Sequence, residues 1–192
     1  MMQEIVVKNV MISKQSEDSE NYQEFLKIVK EKKLKVNLLE AGQRVNIEKN
    51  LYFDVLWPTS YKTISENPLN NNSLVCKMNY LNFSMIFTGD IEKIAEQEIL
   101  KLYRDNLELL DATVLKVAHH GSKTSSSIDF LKAIKPKVAF IGVGKNNRFG
   151  HPNREVIDRL ESLGVGIYRT DENGEIHIIV NDGYKIKSVI CD

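Results

Sequence analysis

Two adjacent histidines stand where an apolar run of the sequence stops. Residues 114–123 read Val-Leu-Lys-Val-Ala-His-His-Gly-Ser-Lys, with His119 and His120 at the break. An earlier run over residues 83–90 stops in the same way at Thr-Gly-Asp, which ends in Asp90. A strand that ends in a carboxylate, next to a strand that ends in imidazoles, would put oxygen and nitrogen metal ligands on one sheet edge. The pattern therefore predicts a metallohydrolase-type site.

Each of these residues also has a structural interpretation. The Asp90 carboxylate could bridge two cations, since each oxygen can face one metal, or it could cap a helix that starts near residue 92. Neighbouring strand residues point to opposite faces, so His119 and His120 can share a site only if the chain turns at once. Gly121 favours such a turn. The alternative is a pair of hydrogen-bonded core histidines.

Polar and basic residues follow the same strand ends. Ser122 and Lys123 precede a predicted helix, whose start would favour an anion such as phosphate, although the serines here could simply be caps. His151 lies in Gly-Lys-Asn-Asn-Arg-Phe-Gly-His-Pro after a third strand, where it is a candidate ligand, a proton donor or a structural loop residue. Lys145 and Arg148 in this loop would suit phosphate oxygens.

Composition limits the remaining function classes. The chain has 192 residues, of which 42% are hydrophobic, so residues 1–192 are predicted to form one domain. Its 26 basic and 26 acidic residues cancel, so an anionic substrate must be held by a local patch or by metal. Cys76 and Cys191 form neither a disulfide framework nor a zinc-knuckle spacing. No run is long enough to span a bilayer or to act as a signal peptide, which predicts a soluble polypeptide without an export signal.

Hydrophobic periodicity predicts strands and helices that alternate along the chain, hence an α/β fold. Ser19 is the expected N-cap of the first helix, residues 59–72 are expected to be a surface loop, and His177 is expected on the surface of a terminal strand. Predicted strands cover residues 5–12, 35–39, 45–47, 52–57, 73–80, 83–88, 113–117, 138–143, 166–169, 175–180 and 184–189, and predicted helices cover 19–32, 92–103, 126–134 and 153–163.

Several of these segments together resemble a known family. The segments are Asn-Asn-Asn-Ser-Leu-Val at 70–75, Phe-Thr-Gly-Asp-Ile-Glu at 87–92, the run from 114 to 125, the loop at 144–152, and Tyr-Arg-Thr-Asp-Glu-Asn-Gly at 168–174. In combination they are similar to the metallo-β-lactamase-type domain of the DNA-uptake competence protein ComEC. The resemblance implies an αββα sandwich, a location at the outer face of the cell membrane, and metal-dependent hydrolysis of phosphodiester bonds in DNA, that is, a nuclease.

The resemblance also assigns roles to residues. It implies one or two divalent ions, zinc or manganese, with Asp90, His120 and His119 as ligands. Asp90 and His119 would carry the catalysis, with His119 as a ligand or as the acid/base group. The substrate side would comprise Ser122, Lys123, Asn72, Arg148 and His151.

One departure from the family pattern is large. The family normally carries a His-x-His-x-Asp-His cluster on an early loop, whereas this sequence has no histidine before His119. We therefore expect the later portion of the fold, an incomplete αββα sandwich with an under-coordinated metal and impaired hydrolysis. Runs 5–12 and 138–143 should leave an apolar sheet face uncovered. A second copy in a homodimer, or a partner that supplies the missing N-terminal half, would cover it.

A second interpretation belongs to another functional class. The chain could be a non-catalytic remnant that binds nucleic acid or a partner protein through Lys123, Lys145 and Arg148. Bound zinc or manganese in the purified chain would favour the enzyme-like site, whereas DNA binding without metal would favour the remnant.

Overall fold

The computed structural model describes residues 6–14 and 20–189 and contains strands and helices in alternation. In chain order the elements are β1 (Asn9–Ser13), α1 (Glu20–Glu31), β2 (Lys35–Leu39), β3 (Arg44–Glu48), β4 (Leu51–Trp57), α2 (Pro68–Asn71), β5 (Val75–Tyr80), β6 (Phe83–Phe87), α3 (Lys93–Leu102), β7 (Val114–Lys116), α4 (Ile128–Ile134), β8 (Val138–Ile141), α5 (Arg154–Ser162), β9 (Gly166–Arg169), α6 (Thr170–Asn173), β10 (Glu175–Val180) and β11 (Tyr184–Val189). Short 3-10 turns occur at Leu107–Leu110 and Ala118–Gly121.

A seven-stranded sheet in the order β3-β4-β5-β6-β7-β8-β9 forms the centre of the fold. Its first four strands pair antiparallel, and the pairs from β6 to β9 are parallel. Parallel neighbours need a crossover connection, and here α3, α4 and α5 provide the three crossovers. The carboxyl ends of β6, β7 and β8 therefore lie at one edge of the sheet.

The two faces of the sheet are covered by different elements. Alternate strand residues such as Ile86, Leu115 and Ala139 pack in the main core, which also contains the buried face of α3, α4 and α5. The residues between them, including Met85 and Phe140, pack against the hairpin of β10 and β11. The layers are thus helices, sheet and hairpin, which confirms the predicted α/β class.

The expected uncovered face is not found at residues 138–143. In β8, Ala139 and Ile141 are fully buried in the main core, and Phe140 is 8% exposed and packs in the cluster under the hairpin. The terminal strands 175–180 and 184–189, predicted with correct bounds, supply this cover. The sequence pattern identified these strands but could not show which sheet face they would cover.

The predicted buried strand at residues 5–12 is also different in the structure. Strand β1 starts at Asn9 and pairs in parallel with β2 in a separate two-stranded sheet. This sheet is only half-buried, with Met11 and Leu38 exposed. Ile5, Ser19 and Cys191 lie outside the described residues. Cys76 is a free thiol whose pKa burial raises to about 11.

Other local predictions hold with small differences. The loop predicted over residues 59–72 contains the short helix α2. Gly164 follows α5 with φ +69°, the left-handed conformation expected of a glycine after a helix. His177 is exposed and lies 3.1 Å from Glu175. Among residues 6–14 and 20–189, no helix combines the length and the apolar character that crossing a bilayer requires.

Candidate functional site

Three neighbouring parallel strands deliver the candidate residues to one edge. Phe87 at the end of β6 is level with Lys116 of β7, which is level with Phe140 of β8. The loops that follow carry Asp90, then the pair His119 and His120, then His151. Such an edge is where α/β sheets place their ligand sites. The structure thus brings these loops together as the strand pattern predicted.

Backbone geometry at the histidine pair differs from the prediction. The turn was expected at Gly121, but it begins earlier: His119 has φ 47° and His120 has φ 54°, and Gly121 continues with φ 81°. The His119 N–H donates to Gly89 O over 3.1 Å, and the Ser122 N–H donates to His119 O over 2.9 Å. Left-handed backbone costs about 1–2 kcal/mol per non-glycine residue, so the surrounding contacts must stabilise this turn.

His120 is exposed and is oriented by the backbone. Its Nδ1 lies 2.6 Å from the Gly142 carbonyl oxygen. A carbonyl oxygen can only accept, so Nδ1 carries the hydrogen, and in the neutral tautomer Nε2 is the nitrogen that has a lone pair. Metal-binding histidines commonly donate their other ring N–H to a backbone carbonyl in this way.

His119 points in a different direction and is half-buried. Its Nδ1 is buried and has no hydrogen-bond partner among the described residues. The nearest carboxylate oxygen is Glu92 Oε1, at 3.9 Å, which is too long for a direct hydrogen bond. The His151 ring is arranged edge-on to it, with 5.9 Å between the ring centroids.

Glu92 is a site residue that the sequence interpretation did not single out. It is 8% exposed, and its carboxylate accepts hydrogen bonds from Asn67 Nδ2 at 2.8 Å, Thr124 Oγ1 at 2.9 Å and Asn71 Nδ2 at 3.2 Å. Burial by itself would raise the pKa of the Glu92 carboxyl. The hydrogen bonds outweigh burial, and the pKa is lowered overall. The only sequence signal was its place in the Thr-Gly-Asp-Ile-Glu segment.

Asp90 does not cap helix α3, which was the structural alternative to a metal-binding role. The residue at the N-cap of α3 is Glu92, so Asp90 lies before the helix. The Asp90 N–H donates to Ser73 Oγ at 3.2 Å. Gly89 has φ +55°, and a Cβ there would be 2.6 Å from Ser73 Cβ, so only glycine fits beside Asp90.

Lys116 is a half-buried lysine near the Asp90 carboxylate. Its Nζ donates to Val117 O at 3.1 Å, and its Cε would lie 3.3 Å from a Cβ at Gly142. Burial lowers the pKa of the Lys116 ammonium, and Asp90 acts in the opposite direction. The Asp90 carboxylate thus favours the charged form of Lys116, whereas burial disfavours it.

The loop over residues 122–127 does not offer the free anion site that was expected at its helix start. The Ser127 N–H donates to Glu96 Oε2 at 2.8 Å, and the Ser126 N–H donates to Glu96 Oε1. Burial raises the pKa of the fully buried Glu96 carboxyl, and these hydrogen bonds oppose the rise. The Glu96 side chain of α3 thus accepts hydrogen bonds from the amides at the start of α4.

Ser122 and Lys123 differ in accessibility. Ser122 is buried, and its Oγ lies 3.0 Å from Thr124 Oγ1. Lys123 is exposed, so its ammonium can reach a substrate. The substrate-side role of Ser122 stays a prediction, and the structure shows the hydroxyl as part of the loop's own hydrogen bonding.

Asn72 braces the loop before β5. Its Oδ1 accepts from the Ile64 N–H at 2.9 Å, and its Nδ2 donates at 2.8 Å to both Ile64 O and Pro68 O. The side chain is 3% exposed. A substrate contact for Asn72 stays a prediction, and in the structure its side chain holds the chain near α2.

The loop after β8 is tied to the histidine turn. A Cβ at Gly121 would lie 2.6 Å from Pro152 Cβ, and the Asn153 N–H donates to Gly121 O at 2.8 Å. Burial lowers the pKa of the His151 imidazole, with His119 and His120 acting in the same direction. Arg148 is exposed, with its guanidinium carbon 4.9 Å from the Phe149 ring centroid.

Comparison with known proteins gives three informative relatives. ComE operon protein 3 of Bacillus subtilis is 36% identical over 170 residues, which is 88% of this chain and 21% of that protein. Competence protein ComA of Neisseria gonorrhoeae is 32% identical over 131 residues, 68% of this chain and 18% of that protein. Recombination protein 2 of Haemophilus influenzae is 32% identical over 128 residues, 67% of this chain and 15% of that protein. No family model matches the chain.

This chain belongs to the ComEC-type competence proteins. It spans about a fifth of the length of the first relatives, 21% and 18%, so the match concerns one segment of those proteins. A solved structure from Parabacteroides distasonis, described as a metal-dependent hydrolase, has a TM-score of 0.49 and 13% identity over 85% of this chain and 64% of that chain. That degree of similarity is too low to support an argument about chemistry.

The ComEC-type chain does not contain a complete set of metal ligands in its described part. Within residues 6–14 and 20–189, no three His, Cys, Asp or Glu side chains are grouped to hold a metal ion. The convergence of Asp90, His119 and His120 in one coordination sphere stays a prediction. The left-handed turn places the His119 ring near Glu92 and the His120 ring near the Gly142 carbonyl oxygen.

Proposed function

We propose that this chain contributes part of a divalent-metal site that hydrolyses phosphodiester bonds of DNA during DNA uptake. The observation that carries the proposal is the delivery of Asp90, His119 and His120 to one sheet edge by neighbouring parallel strands. The competence names of the relatives support the link to DNA uptake.

The residues present fit a metal in part. His120 has a free Nε2 oriented by Gly142, and Asp90 supplies carboxylate oxygens from the adjacent strand end. A bound zinc or manganese ion would lower the pKa of a coordinated water and neutralise charge on phosphoryl oxygens. A catalytic site usually takes three protein ligands. The remaining ligands would therefore come from residues outside the described ones or from another copy.

His119 would act as the acid/base group, or as a further ligand. Its buried Nδ1 has no hydrogen-bond partner within residues 6–14 and 20–189, so it is available to a substrate, a water or a metal. On the substrate side, exposed Lys123 and Arg148 would contact phosphate oxygens, and His151 would line the site beside His119. Ser122 and Asn72 would hold the adjoining loops in position.

Metal analysis of the purified chain tests this proposal. We expect near-stoichiometric zinc or manganese after reconstitution, and at least roughly tenfold weaker metal binding in Asp90→Ala and His120→Ala. His177→Ala is the matched control, because His177 is an exposed histidine beside a carboxylate but far along the chain in β10. A chain that binds no metal, or variants that all bind it equally, would overturn the proposal.

A second function is favoured by a specific observation. The described residues lack a complete ligand group while Lys123, Lys145 and Arg148 are all exposed. A non-catalytic domain that binds nucleic acid or a partner would have these features. DNA binding that persists in a metal-free chain, with no zinc or manganese taken up, would identify this second function.

A further inference from the structure

We propose that Phe149 is a stacking platform for an unpaired nucleobase, and that it gives the site a preference for single-stranded nucleic acid. The inference rests on the proposed action on nucleic acid and adds the strand preference and the residue that sets it. Phe149 lies in the loop between β8 and α5, beside the candidate site.

Phe149 is exposed in a way that is unusual for a large apolar ring. Its exposure is 67%, although it lies next to the partly buried His151. The two rings are nearly parallel, with an interplanar angle of 17° and 6.0 Å between their centroids. His151 in turn stands edge-on to His119 at 5.9 Å. A base stacked at Phe149 would therefore be connected by aromatic contacts to the residues of the candidate site.

The loop backbone holds this platform in place. Asn147 Oδ1 accepts from the His151 N–H at 2.9 Å, and Asn147 Nδ2 donates to His151 O at 2.7 Å and to Gly144 O at 3.2 Å. These bonds span the residues on both sides of Phe149. The ring is thus presented by a cross-braced loop, which lowers the entropy cost of binding a flexible strand.

The charges around the ring match a phosphate backbone. Residues 142–153 contain two cations, Lys145 and Arg148, and no acidic residue. The next cation, Arg154, is already paired with Asp158 and Glu161. The Arg148 guanidinium carbon lies 4.9 Å from the centroid of the Phe149 ring, and Arg148 forms no ion pair with a carboxylate of the described residues. It can therefore move to a phosphate while the ring takes the base. Exposed Lys123 adds a cation from the neighbouring loop.

Stacking favours a single strand for a geometric reason. In a duplex, each base face is already covered by the next base pair, so an aromatic ring can reach it only after unstacking. In a single strand, every base offers a free face, and stacking on aromatic side chains works with any sequence. Phosphate contacts by cations, in contrast, act on both forms.

Fluorescence anisotropy with three labelled probes tests the proposal. The probes are a thymidine oligonucleotide of about ten nucleotides, a blunt duplex, and an abasic oligonucleotide with the same number of phosphates, all with chelator present. We expect Phe149→Ala to weaken binding of the thymidine strand about tenfold, the typical loss for one stacked base. Binding of the duplex and of the abasic strand should change less than about twofold, because their contacts are to phosphates.

Two further variants separate stacking from folding and bulk. Phe149→Leu keeps an apolar side chain but should lose binding of the thymidine strand, like Phe149→Ala. Phe149→Trp should keep that binding, and the thymidine strand should quench the fluorescence of the new tryptophan. The only native tryptophan, Trp57, is 1% exposed and should give a constant background. Equal losses for all three probes, or full binding by Phe149→Leu, would overturn the platform while leaving the proposed function standing. No binding of any probe, either with chelator or with added zinc or manganese, would overturn both.

Discussion

Glu92 and His119 face each other across the gap between the loops that follow β6 and β7. Glu92 Oε1 lies 3.9 Å from His119 Nδ1, and that nitrogen has no hydrogen-bond partner among the described residues. Three donors hold the carboxylate, from Asn67, Asn71 and Thr124, so its position does not depend on the imidazole. A small movement, or one water molecule, would complete the contact and orient His119.

The first prediction concerns the pH dependence of stability at Glu92. The pKa of its carboxyl is lowered in the folded chain. Its stabilising contribution is therefore fully present above the unfolded pKa of about 4.3 and is lost as the pH falls through the folded pKa. Denaturant unfolding measured from pH 7 to pH 3 should show that the unfolding free energy of Glu92→Gln falls less with decreasing pH than that of the parent chain. Glu48→Gln, at an exposed position of β3, is the control and should change the unfolding free energy at pH 7 by less than about 0.5 kcal/mol.

Gly121 tests the contact between the histidine turn and the loop after β8. An alanine there needs φ +81° and places Cβ 2.6 Å from Pro152 Cβ. Gly164→Ala is the control, since Gly164 has φ +69° with nothing within 4 Å. Both variants bear the left-handed cost of about 1–2 kcal/mol. Urea unfolding should show Gly121→Ala to be less stable than Gly164→Ala by at least about 1 kcal/mol; equal losses would mean that the loops are not in contact.

Glu96 is expected to hold the start of α4. Replacement of Glu96 by alanine leaves the buried N–H groups of Ser126 and Ser127 without acceptors, for a loss of about 3 kcal/mol in unfolding free energy. Gln97→Ala, at the exposed neighbouring position of α3, should cost less than about 0.5 kcal/mol. Thermal or urea unfolding measures both. Similar stability in the two variants would contradict the role given to the Glu96 carboxylate.

Hydrolysis by the isolated chain should be slow. The described residues do not group three metal ligands, so both nucleophile generation and charge stabilisation should be weak. Turnover of bis-nitrophenyl phosphate by highly pure chain, with and without chelator, measures this. Fast, chelator-sensitive turnover would show that another copy or other residues complete the site.

Self-association stays a prediction, with a changed structural basis. The apolar cover of β8 is complete, but Met11 is 41% exposed and Leu38 is 61% exposed in the small sheet, and α1 has no buried residue. Light scattering over a dilution series should detect a dimer, the commonest symmetric assembly. A monomer of about 22 kDa at tens of micromolar would show that this unit needs no partner.

The sequence by itself determined the strands, the crossover helices and the loops that carry chemistry. Apolar runs that stop at Thr-Gly-Asp, at His-His-Gly and before the loop to His151 become β6, β7 and β8. This was predictable because strand periodicity and glycine breaks are local signals. Parallel pairing then put the three strand ends at one edge, as the alternation of strands and helices implied.

The tertiary structure alone decided how the side chains at that edge are oriented. The contact of Glu92 with His119 spans 27 positions and its hydrogen bond from Thr124 spans 32, so no local pattern encodes either. The left-handed turn at His119 and His120 opposes their local backbone preference and is stabilised by Gly89 and by the loop packed on Gly121. Likewise, the amides at the start of α4, which the sequence predicted as an anion site, donate to the Glu96 carboxylate. Packing of α3 against α4 brings this buried carboxylate within hydrogen-bond distance of them.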